Sequence, residues 1–208
     1  MKINKKLIFI SLLLLLNSCA VRVSYDENKS ILNKSEISES NKKNNDRDDF
    51  KSFANPINNN FKKFVLKRNP RLDEKIADDI IKYVLIYSDE NKISPKLVLA
   101  VMAAESSFRA DVVSSSGAIG LGQLLKSTAK DMGVENPFDI EGNVKATTKF
   151  LAKLLKSWDG NIDYSLASYK MGFTGAKKAI NSWDGLPEST RKYISDIKKL
   201  HDSISDNE

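Results

Sequence analysis

Glu105 is the side chain in this 208-residue chain best placed for acid–base chemistry. It closes the apolar run Leu97-Val-Leu-Ala-Val-Met-Ala-Ala-Glu105. A carboxyl held at the end of such a run is partly desolvated. That disfavours its charged form and raises its pKa, which suits a general acid near neutral pH. A glutamate near a helix end is, on its own, more often a solvated charge, so the residues that follow it carry the decision.

Those residues form four ordered clusters. Glu105-Ser106-Ser107-Phe108 comes first. Ser114-Ser-Ser-Gly117-Ala118-Ile119-Gly120-Leu121-Gly122-Gln123 follows, then Leu166-Ala167-Ser168-Tyr169-Lys170-Met171-Gly172, and last Leu186-Pro187-Glu188-Ser189-Thr190-Arg191-Lys192-Tyr193-Ile194. Together they resemble the lytic transglycosylases of the soluble, goose-lysozyme-like type. The pattern of that family is Glu-Ser, Gly-x-x-Gly-Leu-Met-Gln, Ala-Tyr-Asn-Ala-Gly and Glu-Thr-Arg-x-Tyr. The likeness spans about residues 75–200, and Asn136-Pro137-Phe138-Asp139 and the segment at Asn143 also fit it.

The resemblance implies an all-α, lysozyme-like domain with a glycan-binding groove. It further implies cleavage of the β-1,4 bond between N-acetylmuramic acid and N-acetylglucosamine in peptidoglycan. The muramyl 6-hydroxyl replaces water and leaves a 1,6-anhydro end, and one carboxyl acts first as acid, then as base. Neither metal nor cofactor is implied. Residue by residue, Glu105 matches the acid/base. Ser106, Ser114, Ser116, Gln123, Tyr169 and Lys170 match positions expected to touch substrate or the acid, and Tyr193 fits the last motif as a packing or site residue. Three positions depart from the pattern. Gly122 stands where the family has Met, which is expected to remove an apolar wall and loosen the chain. Lys170 replaces an amide by a cation. Ser189 stands where the family has Glu, with Glu188 one residue away.

Helices must position these groups. Leu72, Ile76, Ile80, Val84 and Tyr87 recur at three- and four-residue spacing and predict a helix over 71–90. Ser94-Pro95 is a helix start, with Ser as N-cap and Pro in the first turn, where its missing N–H is harmless. That helix should reach about 107. The Ser- and Gly-rich stretch 110–122 reads as loop. A short helix is expected over 123–132, ending at Gly133. Val144, Phe150, Leu151, Leu154, Leu155 and Trp158 mark another that stops near Gly160. Further helices are expected over 162–171, 174–183 and 188–204. Period-2 alternation is essentially absent, so the fold class is all-α.

The N-terminal region reads differently. Met1 to Lys6 is a positive segment, Leu7 to Leu16 an apolar one, and Leu16-Asn17-Ser18-Cys19 follows. The apolar stretch is shorter than the roughly 20 residues of a membrane span, so residues 1–18 read as a secretory signal. The small residue before the cysteine resembles the bacterial lipobox, which implies lipidation of Cys19. Several acyl chains there would anchor the protein firmly, at about 0.8 kcal/mol per buried CH₂. Ala20 rather than Asp after the cysteine points to the outer membrane of the cell envelope. Residues 19–60 are polar and read as a lipidated, flexible tether, with the catalytic domain over 61–208.

The formal charge is +6, of which Lys2, Lys5 and Lys6 supply three. No basic stripe interleaved with aromatics is present, so nucleic-acid binding is not expected. The one cysteine excludes an intramolecular disulfide and any multi-cysteine metal site. A monomer is the default. Two other readings stay open at this level: a true lysozyme-type hydrolase, and a non-catalytic glycan-binding envelope lipoprotein.

Overall fold

The computed structural model describes residues 55–204, and side chains from Asn59 onward. The signal peptide, Cys19 and most of the tether lie outside the described residues. Eight helices occur among those described. In chain order they are α1 (Asn55–Arg68), α2 (Glu74–Asn91), α3 (Pro95–Ser106), α4 (Lys126–Asp131), α5 (Ile140–Ser157), α6 (Ile162–Met171), α7 (Phe173–Ile180) and α8 (Glu188–Asp202). No helix among them is long and apolar enough to cross a membrane.

The helix starts follow local chemistry. Asp73 caps α2 by accepting from the N–H groups of Lys75 and Ile76. Ser94 caps α3 by accepting from Leu97 N–H, with Pro95 in the first turn. Asp139 caps α5 from Gly142 N–H, and Asn161 caps α6 from Tyr164 N–H. Each cap satisfies a donor that the helix itself cannot.

α3 is the centre of the domain. Leu97 through Ala103 are all buried, so the helix is apolar on every side rather than amphipathic. α8, α2, α1 and α5 pack against it. Each fully buried Val, Leu or Met contributes about 1.5–3 kcal/mol. α3 then ends abruptly. Ser107 and Phe108 both adopt positive φ, 51° and 58°. The reversal drives Phe108 into the core at 0% exposure, edge-on to Phe64 with ring centroids 6.0 Å apart. Glu105 therefore sits on the last turn of the buried central helix.

The expected helices are found, with shifted ends. α5 begins at Ile140, ahead of Val144, the first residue of the sequence pattern that marks it, because Asp139 caps it there. α4 begins at Lys126 rather than 123, since Leu124 is spent on an isolated antiparallel bridge to Ile119, through N···O contacts of 2.9 and 3.1 Å. α7 stops at Ile180. α1 was not expected: it crosses the proposed tether–domain boundary at Phe61 and buries Phe61, Phe64 and Val65.

Candidate active site

Three elements converge on Glu105. α3 carries it, α8 faces it with Tyr193, and α6 presents Tyr169 and Lys170. Tyr193 Oη donates to Glu105 Oε1 at 2.5 Å. No hydrogen bond engages Oε2 among the described residues. Burial raises the Glu105 pKa above the ordinary glutamate value. The Tyr193 hydrogen bond and the Lys170 charge pull it part of the way back. The result is a carboxyl that holds its proton more tightly than a solvated one, with one oxygen fixed and the other uncommitted.

Tyr193 is itself held as a neutral phenol. Burial, then the Glu105 charge, push its pKa well above the ordinary value. Tyr169 is similarly raised by burial and by Glu105. A phenol that cannot ionise remains a donor across the whole working range of the acid.

The loop 112–124 is tied to α3 through Ser106 and to α6 through Tyr169. Ile119 bridges Val113 on one side and Leu124 on the other, so the loop folds back on itself. Gly120, at φ +72°, lies so close to α5 that an added Cβ would meet Asn143 Nδ2 at 2.5 Å and Pro137 O at 3.0 Å. Asn143 is the buried clamp of this loop. Its Oδ1 accepts from Gly122 N–H at 2.9 Å, and its Nδ2 donates to Ile119 O at 3.0 Å and Pro137 O at 2.7 Å.

Gly122 corrects one expectation. It does not loosen the chain. A Cβ there would meet Thr147 Oγ1 at 2.0 Å and Thr147 Cβ at 2.9 Å, so α5 fills the space a side chain would need. Its carbonyl accepts from Tyr169 Oη at 2.6 Å, and its N–H is bonded to Asn143. The glycine is pinned on both sides.

The other sequence-derived residues fall as follows. Ser106 is 2% exposed. Its hydroxyl donates to Leu121 O at 2.8 Å and accepts from Arg109 N–H at 3.2 Å. That geometry ties the loop to α3 and leaves no surface for a sugar, contrary to the expected substrate contact. The Ser114 hydroxyl accepts from Ala118 N–H at 3.0 Å and pairs with Ser116 Oγ at 2.9 Å, shaping the turn at Gly117 rather than bonding Glu105. Gln123 adopts φ 48°, and its Nε2 donates to Gly120 O and Val112 O, at 3.0 and 3.3 Å. Lys170 is exposed, with Nζ 4.7 Å from the Tyr193 ring centroid. Glu188 and Ser189 are both exposed in the first turn of α8 and do not act on Glu105.

Sequence reasoning left Tyr193 undecided and missed Thr147. The first is signalled only by its motif, because its contact with Glu105 spans 88 residues. The second has no sequence signal, since a threonine inside a helix is unremarked until the glycine opposite it is known.

The profile of the transglycosylase SLT domain family matches residues 82–191. Among curated proteins, the chain is 32% identical over 130 residues to a membrane-bound lytic murein transglycosylase F of Desulfosudis oleivorans, a match covering 52% of this chain and 29% of that protein. It is 31% identical over 134 residues to the protein of the same name in Pseudomonas fluorescens, covering 60% and 26%. A transglycosylase of Enterobacteria phage PRD1 is 34% identical over 85 residues, covering 41% and 32%. The matches thus span about a third or less of each relative's length. Among solved structures, the fold is shared with the 70 kDa soluble lytic transglycosylase of Escherichia coli, with TM-score 0.56 and 21% identity over 71% of this chain and 28% of that one. It is also shared with the lytic transglycosylase Slt of Pseudomonas aeruginosa, with TM-score 0.53 and 19% identity over 58% and 23%.

Proposed function

The chain belongs to the transglycosylase SLT domain family, and from that premise we propose that it is a peptidoglycan lytic transglycosylase with Glu105 as its single acid/base. The observation that carries the reading is the state of Glu105: a carboxyl with a raised pKa, one oxygen fixed by Tyr193 and the other without a hydrogen bond among the described residues.

In the first step the protonated Glu105 gives its proton to the glycosidic oxygen between N-acetylmuramic acid and N-acetylglucosamine. The C1–O bond breaks with its electron pair leaving on that oxygen. The muramyl ring becomes cationic, and its own acetamido oxygen shares the charge. The carboxylate left behind is stabilised by the Tyr193 hydrogen bond and by Lys170. In the second step the muramyl 6-hydroxyl attacks C1 and its proton passes to Glu105. A 1,6-anhydro ring forms, the acid is regenerated and no water is consumed. Two-carboxylate glycosidases need a second carboxyl about 5–9.5 Å from the first. Here the groups acting on Glu105 are a phenol and an ammonium, and Asp139 is occupied in capping α5. That favours the lyase over a hydrolase.

The loop 112–124 and the α6 edge would form the walls of the glycan groove. Ser114, Ser116, Gln123, Tyr169 and Lys170 would border it. Cys19 would be lipidated and hold the domain at the envelope, with the outer membrane as its site and the polar segment after it as tether. The charge, apolar run and small residue before Cys19 support this, and two of the relatives are named membrane-bound.

Digestion of purified sacculi in oxygen-18-labelled water tests the reaction class. A lytic transglycosylase releases unlabelled anhydro ends. Labelled reducing ends would assign a hydrolase, and no release at all would leave a glycan-binding protein.

A further inference from the structure

Lys170 is where this chain departs from the amide of the family pattern, and its placement is specific. It lies on the last turn of α6, next to Tyr169. The two side chains brace different parts of the site: Tyr169 holds the Gly122 carbonyl of the loop, while Lys170 lies over the Tyr193 ring. We propose that Lys170 is a positioning residue for Glu105, in which an ammonium held over the Tyr193 ring strengthens the phenol that donates to the carboxyl, so that α6 and α8 together set how firmly Glu105 holds its proton. The inference rests on the acid/base role of Glu105 proposed above.

The geometry supports it at each link. The Nζ to centroid distance of 4.7 Å is within the roughly 6 Å range of a cation–π contact. A cation above a phenol ring withdraws electron density and makes its O–H a stronger donor. The phenol under the ammonium is the one that donates to Glu105 Oε1, and a hydrogen bond to an ionised acceptor is about twice as strong as a neutral one. No carboxylate forms an ion pair with Lys170 among the described residues, and its charge acts on Glu105. The titratable groups that act on Glu105 are Tyr193 from α8 and Lys170 from α6, and Tyr169 on α6 lies in the field of the carboxyl. α1, α2 and α5, also packed on α3, contribute no charged group that acts on it. An amide at 170 would leave burial less opposed.

The test uses the full chain and two readouts, the pH profile of sacculus digestion and a carbon-13 NMR titration of the Glu105 carboxyl. Lys170→Met keeps most of the unbranched side chain without its charge, Lys170→Asn installs the family residue, and Lys170→Arg is the rescue. Lys170→Met and Lys170→Asn should strengthen proton binding at Glu105 by about 2- to 5-fold, the range of an exposed cation–π contact, and the alkaline limb of kcat should move to higher pH in step with the NMR midpoint. Lys170→Arg should restore both. If neither midpoint nor limb moves in Lys170→Met and only KM rises, Lys170 is a substrate contact and the proposal is overturned. If kcat falls with both titrations unmoved, the role is structural and the proposal is equally overturned. If the wild type releases no muropeptides while the NMR midpoint still moves, the coupling stands and the enzymatic reading fails.

Discussion

Substituting Gly122 by alanine should weaken the domain far more than a methyl group in a loop ordinarily would. The added Cβ would lie 2.0 Å from Thr147 Oγ1 and 2.9 Å from Thr147 Cβ and Cγ2. Thr147 cannot swing aside easily, because a β-branched residue in a helix has few χ1 choices and is 0% exposed. Overpacking of this kind costs about 1–3 kcal/mol. The loop can retreat only by stretching the Gly122 N–H bond to Asn143 and the Tyr169 bond to the Gly122 carbonyl, each worth about 1 kcal/mol net. The expected loss is therefore about 2–4 kcal/mol. At roughly 2–4 °C per kcal/mol for a domain of this size, that is a fall in Tm of about 5–15 °C. Urea unfolding followed by tryptophan fluorescence should show a lower midpoint at unchanged slope. Thr147→Ala removes Oγ1 and Cγ2 from the contact, so the double variant should be more stable than the sum of the singles by at least about 0.5 kcal/mol. A Gly122→Ala protein as stable as wild type, or strictly additive with Thr147→Ala, would refute the reasoning.

Three further outcomes follow from the same contacts. Tyr193→Phe removes a charge-assisted hydrogen bond worth about 1.5–3 kcal/mol, so kcat should fall about 10- to 100-fold. Because that bond opposes the rise in the Glu105 pKa, the alkaline limb of the pH–rate profile should move upward. Asn143→Ala orphans Gly122 N–H and Pro137 O in a buried site and leaves Ile119 O with Leu124 N–H as its donor; urea titration should show a loss of about 2–5 kcal/mol. Glu105→Gln should be more stable than wild type at alkaline pH. The folded pKa of Glu105 lies above its unfolded value, so burying the ionised form costs stability above the folded pKa. That cost fades as pH falls towards about 4.3. Parallel thermal melts across that range should show the two proteins converging at the acid end.

The α3 start and the candidate acid were legible because each is local. Ser94-Pro95 fixes the cap, and the apolar run that follows reads as a buried helix with Glu105 at its end. α1 was missed because its polar residues mask Phe61, Phe64 and Val65, whose three- and four-residue spacing is the signal that could have found it. Ser106 and Gly122 were misjudged for a different reason. Their types suited a substrate contact and a loosened loop, whereas their roles are decided by partners elsewhere in the chain, Leu121 and Thr147. Ser114 likewise spends its hydroxyl on its own turn. Residue type could name the groups near the acid, while only the fold could say which of them point at it.

The central claim is that Glu105 alone moves the proton in both directions. Purified sacculi incubated with the full-length wild type and with Glu105→Gln, followed by mass analysis of the soluble muropeptides, test it most directly. The account predicts 1,6-anhydro products from the wild type and a loss of at least about 10²-fold with Glu105→Gln, in a protein whose melting shows it folded. Equal release of anhydro products by both proteins would contradict it.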